Sequence, residues 1–358
     1  AVTVITSSYP GLEDVEIQNG VEIIRVKVLN RNQQNVASFP SLLSYVPSSI
    51  KNAKKLLSKR KFDIINTHFA IPTGPAGQFI SNKFNIPNVL SIHGGDIFDP
   101  SKSLSPHKTI GLKQTVRAML TKATKVVAQS TDTKQNALTL YGIQREIDII
   151  PLGIKPNGFP NKLRSDFSLP ADKNILITIG RLIKRKNLEE LIDIISEIKK
   201  IFPVLLLIMG DGPEKDALQQ KIDNMNLQKD VILLGRVTEE KKFQYLNLAD
   251  VYVSTAMHEG FGIVFLEAME CGLPVVCYDR GGQVDFLRDF KTGFMIKLGD
   301  NESFKLKLQQ LINNKELVKK IRTENKSYVK SFYIQNIAGQ YLSLFNSVIN
   351  NNKSYVSN

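Results

Sequence analysis

"NILITIGRLIKRKNLEELIDIISEIKK", residues 174–200, passes from a continuous apolar strand through a glycine and a cluster of cations into a helical pattern. The same alternation recurs along most of the chain. "AVTVIT", "VEIIRVKV", "DIINTH", "NVLSIHG", "TKVVAQS" and "IDIIPLG" are strand-like in the first half. "NILITIG", "FPVLLLIMG", "VILLG", "ADVYVST" and "LPVVCYD" follow in the second. Apolar strands joined by helices predict parallel sheets covered on both faces. The series occurs twice, so the expected architecture is α/β, with two Rossmann-like domains facing a cleft. "KPNGFPNKLRSDFSLPADK" (155–173), with three prolines and no apolar periodicity, reads as the linker. The predicted organisation is a domain over 1–155, a linker over 156–171, a second domain over 172–332, and a final helix over 333–358. That helix is expected to cross back toward the first domain and to fray after Val348.

The 358 residues suit two domains. Two cysteines, Cys271 and Cys277, are too few and too close for a disulfide framework or a zinc site, and they fit a reducing cytoplasm. The longest apolar run, "VLLLIM" (204–209), is far short of the ~20 residues of a membrane-spanning helix. The net charge of +13 is uneven: residues 1–155 carry 19 Lys and Arg against 10 Asp and Glu. Part of this excess lies in "SSIKNAKKLLSKRKFD" (48–63), where Ile50, Ala53, Leu56 and Leu57 recur at helical spacing among six cations. That pattern is an amphipathic basic helix. It serves either as the solvated outer face of a helix packed on a sheet or as a contact for anionic lipid headgroups. Nucleic acid is not an expected partner, because no base-reading motif or aromatic platform accompanies the charge.

Ligands of open parallel sheets sit at the carboxyl ends of strands, and the turns there hold the candidate chemistry. Gly180, Arg181 and Lys186 follow "NILITI"; two cations at such a turn can neutralise a phosphate, although Lys184 and Arg185 beside them also fit a solvated basic loop. Gly210 opens the glycine turn "GDGPE". Arg236 and Val237 end another strand, where a planar base could pair with main-chain groups. "HEGFGIVFLEAMECGLP" (258–274) reads as a loop holding Glu259, then a helix stopped by Gly272 and Pro274. The N–H groups of Gly262, Ile263 and Val264 would form an anion site at the helix start, with Glu267 in the second turn. In the first half, "SIHGGD" places His93 and Asp96 at a strand end, and His68 ends "DIINTH".

"TIGRLIKRKNLEELI", "GDGPE", "LGRV", "HEGFGIVFLEAMECGLPVV" and "TGFMI" together resemble, in order and approximate spacing, the retaining glycosyltransferases of family 4, also known as glycosyl transferases group 1. "INTHFAIPTGPAG" and "SIHGGD" are similar to their amino-terminal strands, so the resemblance covers about residues 1–345. It implies the GT-B fold and transfer of a hexose or related sugar from a nucleotide sugar, with retention, to a glycan or lipid-linked acceptor. The resemblance implies that Arg181 and Lys186 bind the donor diphosphate, that Glu267 binds the ribose, and that Glu259 holds hydroxyls of the transferred sugar. The backbone at Phe261, Gly262 and Ile263 would contact sugar and phosphate, with His93 by the anomeric region and Asp96 nearby. The catalytic set so implied is His93, Glu259, Arg181 and Lys186, with His68, His93 and Asp96 on the acceptor side.

No Asp-x-Asp motif occurs, so the expected chemistry is metal-independent and without cofactor, the nucleotide sugar serving as co-substrate and UDP favoured over GDP. Two cations and a helix start would stabilise the leaving diphosphate. The expected location is the cytoplasm, peripheral at the inner face of the membrane. The chain opens inside a strand pattern, where the family begins with an earlier strand and a glycine-rich loop. The first sheet is therefore expected to lack a central strand, and the chain alone to turn over nucleotide sugars weakly. The alternative is a non-catalytic or partner-completed subunit whose partner chain supplies the missing segment. A nicotinamide dehydrogenase is excluded because no G-x-G-x-x-G follows a strand, and a P-loop enzyme because its motif is missing.

Overall fold

The computed structural model describes residues 1–31, 38–101 and 105–356. They form two compact units, the first comprising residues 1–150 and 340–358 and the second residues 151–339.

The first unit contains β1 (Val2–Ser7), β2 (Val15–Gln18), β3 (Val21–Val26), α1 (Phe39–Leu57), β4 (Ile65–His68), α2 (Gly74–Phe84), β5 (Asn88–Ile92), α3 (Ile110–Lys122), β6 (Lys125–Ala128), α4 (Thr131–Tyr141) and β7 (Asp148–Ile149). Its described strands make two sheets, in the orders β1-β3-β2 and β4-β5-β6-β7. The second is wholly parallel, and β5, buried along its length, is the apolar centre expected of such a sheet. The first departs from the expected parallel pattern, because β2 returns antiparallel to β3. The hairpin turns at Asn19 and Gly20, both at positive φ, the conformation an Asn-Gly pair adopts most readily. Helix α1 also begins nine residues earlier than the basic stretch suggested. Ser38 caps it by accepting from Ser41 N, and Pro40 sits in its first turn, where a missing N–H costs nothing.

The second unit contains β8 (Asn174–Ile179), α5 (Leu188–Ile198), β9 (Val204–Met209), α6 (Lys215–Asn224), β10 (Val231–Gly235), α7 (Glu239–Leu248), β11 (Val251–Ser254), α8 (Ile263–Glu270), β12 (Val275–Tyr278), β13 (Gly293–Ile296), α9 (Asn301–Asn313), α10 (Lys315–Tyr328) and the start of α11 (Ile334–Val356). Its sheet is parallel throughout, in the order β10-β9-β8-β11-β12-β13. Helix α5 shows why the opening stretch folds as it does. Leu191, Ile192, Ile195 and Ile198 recur at helical spacing and are all buried, each contributing roughly 1.5–3 kcal/mol. Glu189 and Glu190 in its first turn complement the helix dipole.

Residues 156–171, expected as a linker, lie inside the second unit. Apart from a short 3-10 turn at Arg164–Phe167 they carry no helix or strand, yet side chains anchor them: Arg164 donates to Leu248 O and pairs with Asp250 at 2.7 Å. The tail expected to fray after Val348 remains helical to Val356, since neither Gly nor Pro interrupts it. Cys271 and Cys277 are free and buried.

Candidate functional site

The order of strands in the second unit reverses between β8 and β11, and the crevice at such a switch point is where an open α/β sheet binds ligands. The two turns that leave these strands are stitched together. Met257 N donates to Arg185 O at 2.9 Å, and Thr255 Oγ1 to Asn187 O at 2.8 Å. This brings Lys186 and Arg185, which follow β8, onto Glu259, which follows β11. Lys186 Nζ donates to one carboxylate oxygen and Arg185 Nη1 reaches the other at 3.2 Å. Glu259 is only 6% exposed, and its backbone is held by Gly282 N, which donates to Glu259 O at 2.7 Å. Burial works to raise its pKa, but the charges and hydrogen bonds of Lys186 and Arg185 outweigh it and hold the carboxyl below its usual value.

Gly180 makes room for this pair. A Cβ there would lie 2.7 Å from Lys186 Cε and 2.8 Å from Nζ, so the lysine crosses the end of β8 only because no side chain stands in its path. Arg181, next in sequence, is exposed. Helix α8 starts at the same end of the sheet. Gly262, its N-cap at φ 85°, turns the chain with Phe265 packed where a side chain would otherwise go. Phe265 N already donates to Gly262 O, leaving the N–H groups of Ile263 and Val264 directed outward at the positive end of the dipole. Gly180, Arg181, Lys186, Glu259, Gly262, Ile263 and Val264 thus gather at one place. The Phe261 ring is buried against Phe286 with centroids 5.2 Å apart, which leaves only its backbone available at this place. Gly210 lies on the neighbouring turn, its N donating to Gly235 O at 2.9 Å, and Arg236 and Val237 continue from there.

Glu267, on α8, belongs to a different cluster from Glu259. It pairs with Lys242 of α7 at 2.7 Å, while its Oε2 is buried without a partner among the described residues. Burial raises its pKa despite Lys242, leaving an acceptor that a ligand hydroxyl could satisfy.

In the first unit, His68 Nδ1 and His93 Nε2 stand 2.9 Å apart, with Phe69 against the His93 ring. Burial, with the His68 ring beside it, pushes His93 down to about 4. Asp96 does not face outward. It is buried, with its carboxylate accepting from His93 N at 2.8 Å and Ala70 N at 2.6 Å, and burial raises it to about 6 despite these bonds. Its visible work is to fix the turn that carries His93. Sequence reasoning missed Arg185, read as part of a solvated loop, and Lys242, whose reach from α7 to Glu267 leaves no mark in local spacing.

Three proteins illustrate the similarity. Alpha-monoglucosyldiacylglycerol synthase of Acholeplasma laidlawii is 25% identical over 359 residues, spanning 94% of this chain and 87% of that protein. Sucrose-phosphate synthase of Thermosynechococcus elongatus superposes with a TM-score of 0.84 at 22% identity, over 97% of this chain and 88% of that one. HepE of Anabaena, solved in complex with UDP-glucose, does so with a TM-score of 0.74 at 20% identity, over 92% and 86%. Both share the α/β fold described above, that of the GT-B enzymes. Residues 1–157 match the family described as Glycosyltransferase Family 4 and residues 161–328 the one described as Glycosyl transferases group 1. Spanning nearly all of the chain in consecutive order, these matches make it a member of the family 4, group 1 glycosyltransferases, a transferase enzyme.

Proposed function

We propose that the chain moves a hexosyl group from a nucleotide sugar to a glycan or lipid-linked acceptor, with retention of configuration and without a metal. The observation that carries the reading is the meeting of Lys186 and Arg185 with Glu259 beside the outward N–H groups of Ile263 and Val264. In this reading Arg181, Lys186 and the start of α8 bind the diphosphate. Glu259 accepts from hydroxyls of the transferred sugar, Glu267 Oε2 takes the ribose, and the main chain at Arg236 and Val237 takes the base. His93 lies by the anomeric region, with His68 and Asp96 behind it.

The reaction breaks the bond from the anomeric carbon to the phosphate oxygen, and the electron pair leaves on the diphosphate. The acceptor oxygen bonds to the same face of that carbon, and its proton passes to a phosphate oxygen. Cations and helix N–H groups already in place lower the barrier by stabilising the developing charge. UDP is favoured as carrier because HepE was solved with UDP-glucose. A lipid-linked acceptor is favoured by the relative named for a glycolipid and by the first unit's charge. Residues 39–128 hold 13 Lys and Arg against three Asp and no Glu. Among the described residues no helix is long and apolar enough to cross a bilayer, and we place the enzyme peripherally at the cytoplasmic face.

A thermal-shift panel of UDP-, GDP- and ADP-sugars tests the donor, because a ligand that binds the native state stabilises it by mass action. Stabilisation by UDP-sugars supports the assignment, and stabilisation by GDP-sugars alone refutes it. NMR of the product then reads the anomeric outcome, with an inverted product or activity abolished by EDTA counting against the mechanism.

A further inference from the structure

His68 and Asn66 lie two residues apart on β4, so their side chains share one face of the strand. Ser91, on neighbouring β5, donates through Oγ to Asn66 Oδ1 at 3.0 Å, and Tyr341 OH backs that hydroxyl at 3.5 Å. With its oxygen committed to Ser91, the Asn66 amide turns its Nδ2 toward His68 Nε2, 3.0 Å away. An amide nitrogen only donates, so His68 Nε2 accepts. A neutral His68 ring then carries its proton on Nδ1 and donates it across 2.9 Å to His93 Nε2. His93 Nε2 accepts, and the proton of a neutral His93 is confined to Nδ1. Desolvation lowers both histidines, His93 the further with the His68 ring beside it, which favours the neutral form of each. Asp96 reaches His93 through its backbone N–H rather than its ring.

We infer that Asn66 is a positioning residue which, relayed by His68, holds His93 as the Nδ1–H tautomer, so that His93 offers the reacting sugar a hydrogen-bond donor and not a base. The role rests on the placement of His93 by the sugar, whereas the tautomer rests on the hydrogen-bond chain alone. The direction of every bond in that chain follows from one amide orientation.

The chain contains four histidines, so long-range proton–nitrogen NMR of the imidazoles is tractable, with His93→Gln assigning the His93 signals. Wild type is expected to show a protonated Nδ1 and an unprotonated Nε2 at His93. Asn66→Asp replaces the donor facing His68 with an acceptor. It is expected to draw a proton onto His68 Nε2 and invert His93 to the Nε2–H form. Turnover should fall about tenfold or more, with the KM for the nucleotide sugar within about twofold, and near-UV circular dichroism should confirm a native fold. Ser91→Ala, which frees the amide to rotate, should give a mixture of His93 tautomers. An Nε2–H form in wild type, or an unaltered His93 in Asn66→Asp, overturns the inference. Inversion of the tautomer with wild-type turnover would leave the relay standing and overturn the placement of His93 by the sugar.

Discussion

Replacing Glu259 with glutamine separates the two tasks assigned to this carboxylate. The side chain is 8% exposed and takes Lys186 and Arg185, themselves 14% and 18% exposed, on its two oxygens. Glutamine preserves size and one acceptor, but its amide nitrogen must then face a cation. Removing one member of a fully buried ion pair costs about 3–5 kcal/mol, and the residual exposure of the two cations reduces this to about 2–4 kcal/mol. For a unit of this size that corresponds to a fall of about 5–15 °C in Tm, measured by circular dichroism. The same change releases Lys186 from its carboxylate toward the diphosphate. UDP should therefore bind the variant at least as tightly as wild type, while the extra affinity of UDP-glucose over UDP is lost in calorimetric titration. A Tm within 2 °C of wild type would refute the energetic argument. An equal loss of affinity for UDP and UDP-glucose would refute the assignment of Glu259 to the sugar.

Gly180→Ala puts a methyl group where Lys186 crosses the strand end, and the flexible lysine tip can swing away. Stability should change by less than about 1 kcal/mol while UDP affinity falls roughly tenfold, about 1.4 kcal/mol; an unchanged Kd would show that Lys186 does not serve the phosphate. Lys242→Met leaves Glu267 buried without its cation and raises further a pKa already above the usual value. The penalty falls on the charged form, so the loss in Tm should be largest at pH 7 and narrow as acid protonates Glu267. A pH-independent gap would place the effect elsewhere. Glu259, whose folded pKa lies below its ordinary 4.5, contributes stability above that value and loses it as pH falls through the folded one. Wild type should therefore lose Tm more steeply than Glu259→Gln below about pH 4.5, and parallel curves would contradict the ion pairing.

Much of the fold was legible because apolar strands and amphipathic helices carry their period in local sequence. Every strand quoted in the two series forms, and α8 stops before Gly272 as its breakers predict. The omission of β2 had a readable cause. Asn19-Gly20 is a hairpin signal that the expectation of parallel strands joined by helices passed over, and "VEIQ" is only four residues long. The error over residues 156–171 was of another kind. Proline content reports the lack of strands and long helices, whereas attachment is decided by partners such as Asp250, distant in sequence from Arg164.

The sequence by itself determined the alternating architecture of both units, the family, and the turns at which candidate ligand-binding residues stand. These depend on periodicity, glycine placement and short motifs, all properties of neighbouring residues. Only the tertiary structure decided which cation meets which carboxylate. Lys186 and Arg185 converge on Glu259 and Lys242 on Glu267, while Asp96 turns inward to hold backbone. The chain from Ser91 through Asn66 and His68 to His93 likewise joins two strands. Charge pairing and proton placement act over a few ångströms in space, and the fold sets which distant residues come that close.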